Sequence, residues 1–201
     1  MLDSFRDTFR LPDLKRRILF TLAALFVYRL GAHVPTPGVD AAALGRLFDQ
    51  GSILGFLDLF AGGALSRFSI FALGVTPYIN SSIVMQLLAV VVPSIEKLQK
   101  EGEEGRKKIV QWTRYGTIIF AFIQAVGMTG WLRGLGIYTG SFMDIILVSL
   151  TLTTGAVAVM WLGEIMSDHG IGNGISLLIF AGIVVRIPEA VVRTFSLVRL
   201  G

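Results

Sequence analysis

Five stretches of this sequence are long enough and apolar enough to cross a lipid bilayer: Ile18 to Val34, Phe68 to Val92, Tyr115 to Leu132, Phe142 to Ile165 and Ile171 to Ile187. A bilayer core about 30 Å thick takes about 20 mainly apolar residues at about 1.5 Å of helical rise each. A soluble domain can bury one such helix. A chain of 201 residues with 53% hydrophobic and 16% charged content has too little polar chain to cover five. The sequence therefore predicts an all-α, polytopic helical membrane protein. The same figures exclude a disordered chain, which needs low hydrophobicity and high net charge. With Cys 0, they also exclude a disulfide scaffold, a thiolate metal centre and a cysteine nucleophile. The first run lies behind a polar, amphipathic segment and lacks a small-residue cleavage pattern. It reads as a retained span, not a signal peptide.

Lys and Arg concentrate in cytoplasmic loops. Arg6, Arg10, Lys15, Arg16 and Arg17 precede the first run, and Lys97, Lys100, Arg106, Lys107, Lys108 and Arg114 separate the second from the third. Placing the N-terminus in the cytoplasm puts both clusters inside. Two places fit less well. The inner turn 167–174 has no base, and the outer tail carries Arg193 and Arg199. The dense clusters outweigh them. The net charge of +4 reflects bases that flank spans, where anionic headgroups attract them, and no nucleic-acid module accompanies them.

Several segments depart from a plain bundle. Leu2, Phe5 and Phe9 are spaced for a helix lying in the interface, with a frayed tail as the alternative. Residues 52–61 are apolar but reach only about 15 Å as a helix. They end at Gly62 and Gly63, and read either as a re-entrant piece or as an interfacial loop helix. Pro77, beside Gly74 and ahead of Asn80, Ser81 and Ser82, marks a break or a helix start. Discontinuous helices of this kind often flank transport sites, whereas a kinked helix with packed serines is the plainer reading. Gln86 and Gln124 sit within runs and need a partner: each other, another helix or water. Arg29 lies about 18 Å into the first run. At the bilayer centre it costs about 2.5–3.5 kcal/mol on insertion scales, so it is expected to snorkel to the outer interface rather than face a polar cavity. Residues 96–108 read as a solvated hairpin or a docking surface; Glu103 and Glu104 precede Lys107 and Lys108 by four and, if helical, are expected to pair.

No constellation for catalysis stands out. The glycine-rich run 170–174 lacks the Gly-Lys-Ser/Thr ending of a phosphate loop and reads as a tight turn. His33 and His169 have no metal-ligand spacing, and Asp144 and Glu164 lie near span ends within reach of water. No enzyme activity, cofactor or metal is expected.

Residues 60–79, 100–108, 113–116, 161–164, 170–176 and 179–183 closely resemble, in order, signature segments of the SecY family, the central subunits of bacterial protein-conducting channels. The resemblance runs from about Asp13 to Pro188. It implies a fold of ten membrane helices in two pseudo-symmetric halves, of which this chain resembles the first half. Residues 1–17 would be a cytoplasmic N-terminus and 18–201 that half. The chain is then expected to be a piece of a longer protein, or to work with a separately made second half.

The resemblance further implies a plug helix over residues 53–67, containing Ile53, Leu57, Phe60, Gly62, Gly63, Leu65 and Arg67. It implies a pore ring that includes Val75, Ile79 and Ile179, with Val75 standing where isoleucine is common. Polar lateral-gate positions fall at Ser82, Gln86 and Gln124. The cytoplasmic loop 93–114, with Lys100, Arg106, Lys107 and Lys108, falls where a partner docks. The implied function is passage of unfolded secretory polypeptides across the membrane and release of transmembrane segments into lipid. The implied partners are SecE, SecG, the SecA motor, the ribosome, signal sequences and nascent chains, membrane lipids, and helices 6–10 of the second half. The implied location is the bacterial cytoplasmic membrane. The competing reading is half of an inverted-repeat secondary transporter. Such a protein places ionisable groups at mid-membrane, and runs two to five have none near their centres.

Overall fold

The computed structural model describes residues 12–39, 44, 45, 58, 62–138 and 140–200. The N-terminal segment before Pro12 and the plug positions Ile53, Leu57 and Phe60 lie outside the described residues. In chain order the helices are α1 (Pro12–Gly31), α2 (Thr76–Val91), α3 (Pro93–Lys100), α4 (Glu103–Gly134), α5 (Phe142–His169) and α6 (Gly174–Leu200). Isolated antiparallel bridges join Pro35 to Ser69 and Val39 to Tyr138.

α5 is the central post, packed against α1, α4 and α6, while α4 also packs on α2 and α3. Its start is fixed by a capping box: Ser141 and Asp144 satisfy each other's backbone N–H groups. Asp144 therefore serves the helix end that the sequence placed within reach of water. α4 buries a narrow stripe of Thr113, Thr117, Ala121, Ala125, Thr129 and Leu132. Four-residue spacing puts these small side chains on one face, so neighbouring backbones approach closely. The Thr117 and Thr129 hydroxyls donate to carbonyls one turn back, which removes the cost of burying them. The opposite face shows Tyr115, Ile119, Phe122 and Ile123, with Ile119 61% exposed. α1 repeats the pattern, burying Thr21, Ala24 and Tyr28 while Leu19, Leu22, Phe26 and Leu30 face outward. Small residues inside and large apolar ones outside are the inverse of a water-soluble helix and suit a lipid surround.

The runs and the helices differ in four places. α4 and α5 are the described helices that are long and apolar enough to cross a membrane unaided, with mean hydropathy 1.4 and 2.1. α1 spends its first turns on Lys15, Arg16 and Arg17, which lowers its apolar share. The second run is only partly helical. Residues 62–75 form consecutive turns, and helix begins at Thr76, with Pro77 in the first turn, where its missing N–H costs nothing. Of the two readings of Pro77, the helix start is the one that forms. α2 and α3 together would make a third span, but they bend by 101°. The bend falls at Val92, ahead of Pro93, because proline disfavours helix in the residue before it.

The third difference is in the charge pairing of the loop 93–114, a hairpin as expected, built from α3 and the polar start of α4. There Glu96 pairs with Lys100, and the expected Glu103–Lys107 and Glu104–Lys108 pairs are not formed among the described residues. Exposed side chains gain little from such pairs, so their absence costs little. The fourth is the last helix, which continues through Pro188 to Leu200, past the expected end at Ile187.

The expected tight turn at 170–174 is present and is stitched from several sides. Gly172 has φ +68, the Asn173 side chain accepts from the Ser176 N–H, and Gly174 N–H donates to Ser167 Oγ. α1 reaches it twice: Arg17 donates to the Gly170 carbonyl and Thr21 Oγ1 accepts from Ile171 N–H.

Candidate functional site

Val75, Ile79 and Ile179 are brought together. All three belong to one apolar cluster that also holds Tyr28, Phe71, Val159, Met166 and Leu178. Val75 caps the start of α2 and is buried, and Ile79 follows one turn later, its N–H on the Val75 carbonyl at 3.1 Å. Ile79 and Ile179 are half-buried, so part of each side chain remains uncovered. α1 supports the cluster from behind. Tyr28 and Phe71 stack with centroids 5.9 Å apart and planes 7° apart. Gly31 leaves room for the Phe71 ring, which lies 2.0 Å from where a Cβ would stand.

Above this cluster the chain turns tightly. Gly62 and Gly63 have φ +62 and +85, a left-handed backbone that glycine adopts without penalty. Residues 62–67, expected as the end of a plug helix, are turns. Asp58, 1% exposed, holds them: its Oδ1 accepts from Leu65 N–H and Ser66 N–H, both at 3.0 Å, and its carbonyl accepts from Gly63 N–H. A carboxylate that takes two backbone N–H groups removes two buried donors at once. Leu65 packs against a second apolar cluster that includes Phe68, Ala125 and Leu132 of α4, and Val148 and Leu152 of α5, and Arg67 is exposed.

Arg29 does not snorkel outward. Its Nη1 donates to the Gly62 carbonyl at 2.8 Å, so the guanidinium turns toward the glycine turn. The lipid-facing route was expected because a charge on one span has no visible partner in a linear sequence. The partner lies 33 positions away in an irregular segment. Asp58 was likewise missed as a structural centre, although a lone acid inside an apolar decapeptide is a signal for a buried acceptor.

The polar positions of α2 and α4 divide. Ser81 is buried and donates to the Thr113 carbonyl at 2.7 Å, fastening α2 to α4. Gln86 donates to Ser82 within its own helix at 3.3 Å and is exposed, and Gln124 is half-buried. No bond joins Gln86 to Gln124 among the described residues. Lys100, Arg106, Lys107 and Lys108 are all exposed on the hairpin. Where the α4 hairpin enters the membrane region, Arg114 Nε donates to Glu164 of α5 at 2.8 Å, an ion pair the sequence did not suggest. Among the described residues no group of His, Cys, Asp and Glu could hold a metal ion.

An irregular, glycine-turned span entry over an aliphatic cluster, set among helices with apolar outer faces, defines an all-helical membrane protein with a discontinuous span. The comparisons identify which one. The SecY family profile matches residues 69–201. The protein translocase subunit SecY of Pseudomonas aeruginosa is 47% identical over 194 residues, which is 95% of this chain and 44% of that protein. SecY of Escherichia coli K12 is 48% identical over 199 residues, 95% of this chain and 45% of its own length. The chain belongs to the SecY family, and it spans about half the length of these relatives. Among solved structures, Sec61 in a canine ribosome–channel complex from the endoplasmic reticulum and a protein-conducting channel both match. Each has TM-score 0.61 and 23% identity over 84% of this chain and 36% of theirs, a likeness of fold.

Proposed function

We propose that this chain forms the first half of a protein-conducting channel in the bacterial cytoplasmic membrane, with its N-terminus in the cytoplasm. That channel passes unfolded secretory polypeptides and releases transmembrane segments sideways into lipid. The observation that carries the reading is the convergence of Val75, Ile79 and Ile179, from the start of α2 and from α6, on one apolar cluster. Branched aliphatic side chains make a constriction that excludes water and ions yet grips no particular sequence. The segment 53–67 is the plug, and Ser82, Gln86 and Gln124 line one side of the lateral gate. The exposed bases Lys100, Arg106, Lys107 and Lys108 face SecA or the ribosome. SecE, SecG and a second half of five further helices complete the assembly, with signal sequences and nascent chains as its cargo. The role needs no catalytic group and no cofactor.

The test is Ile79→Gly in the complete channel, reconstituted into liposomes. Removing a half-buried aliphatic from the constriction is expected to raise the resting ion leak severalfold. An unchanged leak removes Ile79 from the pore. Cysteines placed at Phe60 and Val75 in the closed channel are expected to form a disulfide, since the chain itself has Cys 0 and supplies no competing thiol. Labelling of the Phe60 cysteine only from the cytoplasmic side overturns the plug assignment.

A further inference from the structure

We infer that one face of α5 holds a zwitterionic phospholipid, its ammonium at Asp144 and one acyl chain running along the helix toward Ala158. The inference rests on the membrane-spanning fold and not on the channel reading above. Two recesses lie end to end on this helix. One, of about 340 Å³, is lined by Pro37, Gly38, Tyr138, Asp144 and Leu147. The other, of about 510 Å³, is lined by Ile70, Phe71, Leu147, Thr151, Thr154 and Ala158. Both reach Leu147, and positions 144, 147, 151, 154 and 158 recur at three- and four-residue steps, so they form a single stripe on the helix. The facing wall is continuous too. Pro35 bridges Ser69, Thr36 N–H donates to the Phe68 carbonyl at 2.9 Å, and Ile70 N–H donates to the Val34 carbonyl at 3.0 Å. The result is one groove, with Leu147 and Leu150 54% and 53% exposed along it.

The groove changes character along its length. At its polar end Asp144 Oδ2 accepts from Ser141 N–H at 2.8 Å, and among the described residues Oδ1 takes no hydrogen bond, which leaves it open to a cation. Tyr138 lies within electrostatic reach of both Asp144 and Arg133, so an acid and a base flank the mouth. That arrangement suits a headgroup carrying an ammonium and a phosphate, and Asp144 repels a purely anionic one. The other end is apolar. The Thr151 and Thr154 hydroxyls donate to the Leu147 and Leu150 carbonyls, so neither asks a ligand for a hydrogen bond. Leu147 to Ala158 measures about 16 Å at helical rise, which matches one leaflet of the bilayer core, about 15 Å. An apolar partner helix would fill the same recess but has nothing to offer the carboxylate, so charge complementarity favours the lipid.

The experiment is native mass spectrometry of the complete protein, delipidated in detergent and titrated with palmitoyl-oleoyl phosphatidylethanolamine or palmitoyl-oleoyl phosphatidylglycerol. Assembly yield is read in parallel. The unaltered protein is expected to bind the ethanolamine lipid about tenfold more tightly than the glycerol lipid. Asp144→Asn keeps an oxygen for the Ser141 N–H and removes the charge, so it is expected to abolish that preference with assembly unchanged. Ala158→Trp fills the apolar end and is expected to weaken both lipids about tenfold. Equal binding of the two lipids by the unaltered protein overturns the assignment, as does an undiminished preference in Asp144→Asn. Binding that Ala158→Trp does not move belongs to non-specific surrounding lipid and overturns it too. Crosslinking of Thr154→Cys to another protein segment in native membranes assigns the groove to a protein partner and also overturns the lipid. Where Asp144→Asn does not assemble, Ala158→Trp and Arg133→Gln, both expected to weaken the ethanolamine lipid, decide the question in the same titration.

Discussion

Gly155→Ala in the complete protein is expected to leave little correctly assembled channel. Gly155 lies in the middle of α5, where alanine would ordinarily improve a helix by about 1 kcal/mol. Here a Cβ would stand 1.8 Å from the carbonyl oxygen of Ile70 and 2.8 Å from its carbonyl carbon. Backbone cannot rotate away as a side chain can. Ile70 is also tied by its N–H to the Val34 carbonyl at 3.0 Å, just beyond α1. Relief requires moving the segment that leads into α2 or tilting the central post. Overpacking a tight core costs about 1–3 kcal/mol, and a clash with tethered backbone belongs at or above the top of that range. The clash therefore outweighs the propensity gain. The control is Gly127→Ala on the outward face of α4, where nothing lies within 4 Å of the new Cβ. It is expected to be neutral or mildly stabilising. Size-exclusion yield and thermal unfolding in detergent read both variants. Equal yields would mean that α5 and the entry to α2 are not in the contact described.

Asp58→Ala is expected to loosen the glycine turn and raise the resting leak more than Asp58→Asn. The carboxylate accepts from two part-buried N–H groups of the turn, and alanine leaves both without that acceptor. A fully buried donor left unsatisfied costs about 1–3 kcal/mol, and water can reach these two in part, so each loss belongs toward the lower end of that range. Asparagine keeps a carbonyl oxygen in reach of Leu65 and Ser66 and is expected to retain most of the closure. Parallel leak measurements separate the two. Equal leak in Asp58→Ala and the unaltered channel would show that the turn is held from outside.

Much of this architecture is written in local composition. α4 and α5 follow from long apolar runs, and the broken entry to α2 follows from Gly74 and Pro77, residues whose backbone preferences act wherever they stand. The aliphatic positions proposed for the constriction were reached through family motifs, because nothing in periodicity separates Ile79 from the other branched residues around it. The direction of Arg29 was not legible. A charge chooses between lipid interface and protein interior according to a partner that only the folded chain brings near. The hairpin of α3 and α4 was legible as a solvated hairpin or docking surface from its interleaved acids and bases, but its charge pairs were not, because exposed side chains gain too little from one partner to fix a geometry. The Arg114–Glu164 pair joins residues 50 positions apart and leaves no local trace.

The bend at Val92 gives the hairpin end of the molecule a mechanical character. α3 is about 12 Å long and α2 about 24 Å at helical rise, and they meet at 101° through a single extended residue. The pair is an elbow with a short arm outside and a long arm inside. α3 is also keyed to α4, where a Cβ on Gly105 would stand 1.7 Å from the Leu98 carbonyl, so the short arm cannot swivel without dragging its neighbour. α2 is fastened to α4 as well, by the Ser81 hydroxyl on the Thr113 carbonyl, so a load on the exposed face of α3 passes into α4 at two places instead of being taken up at the bend.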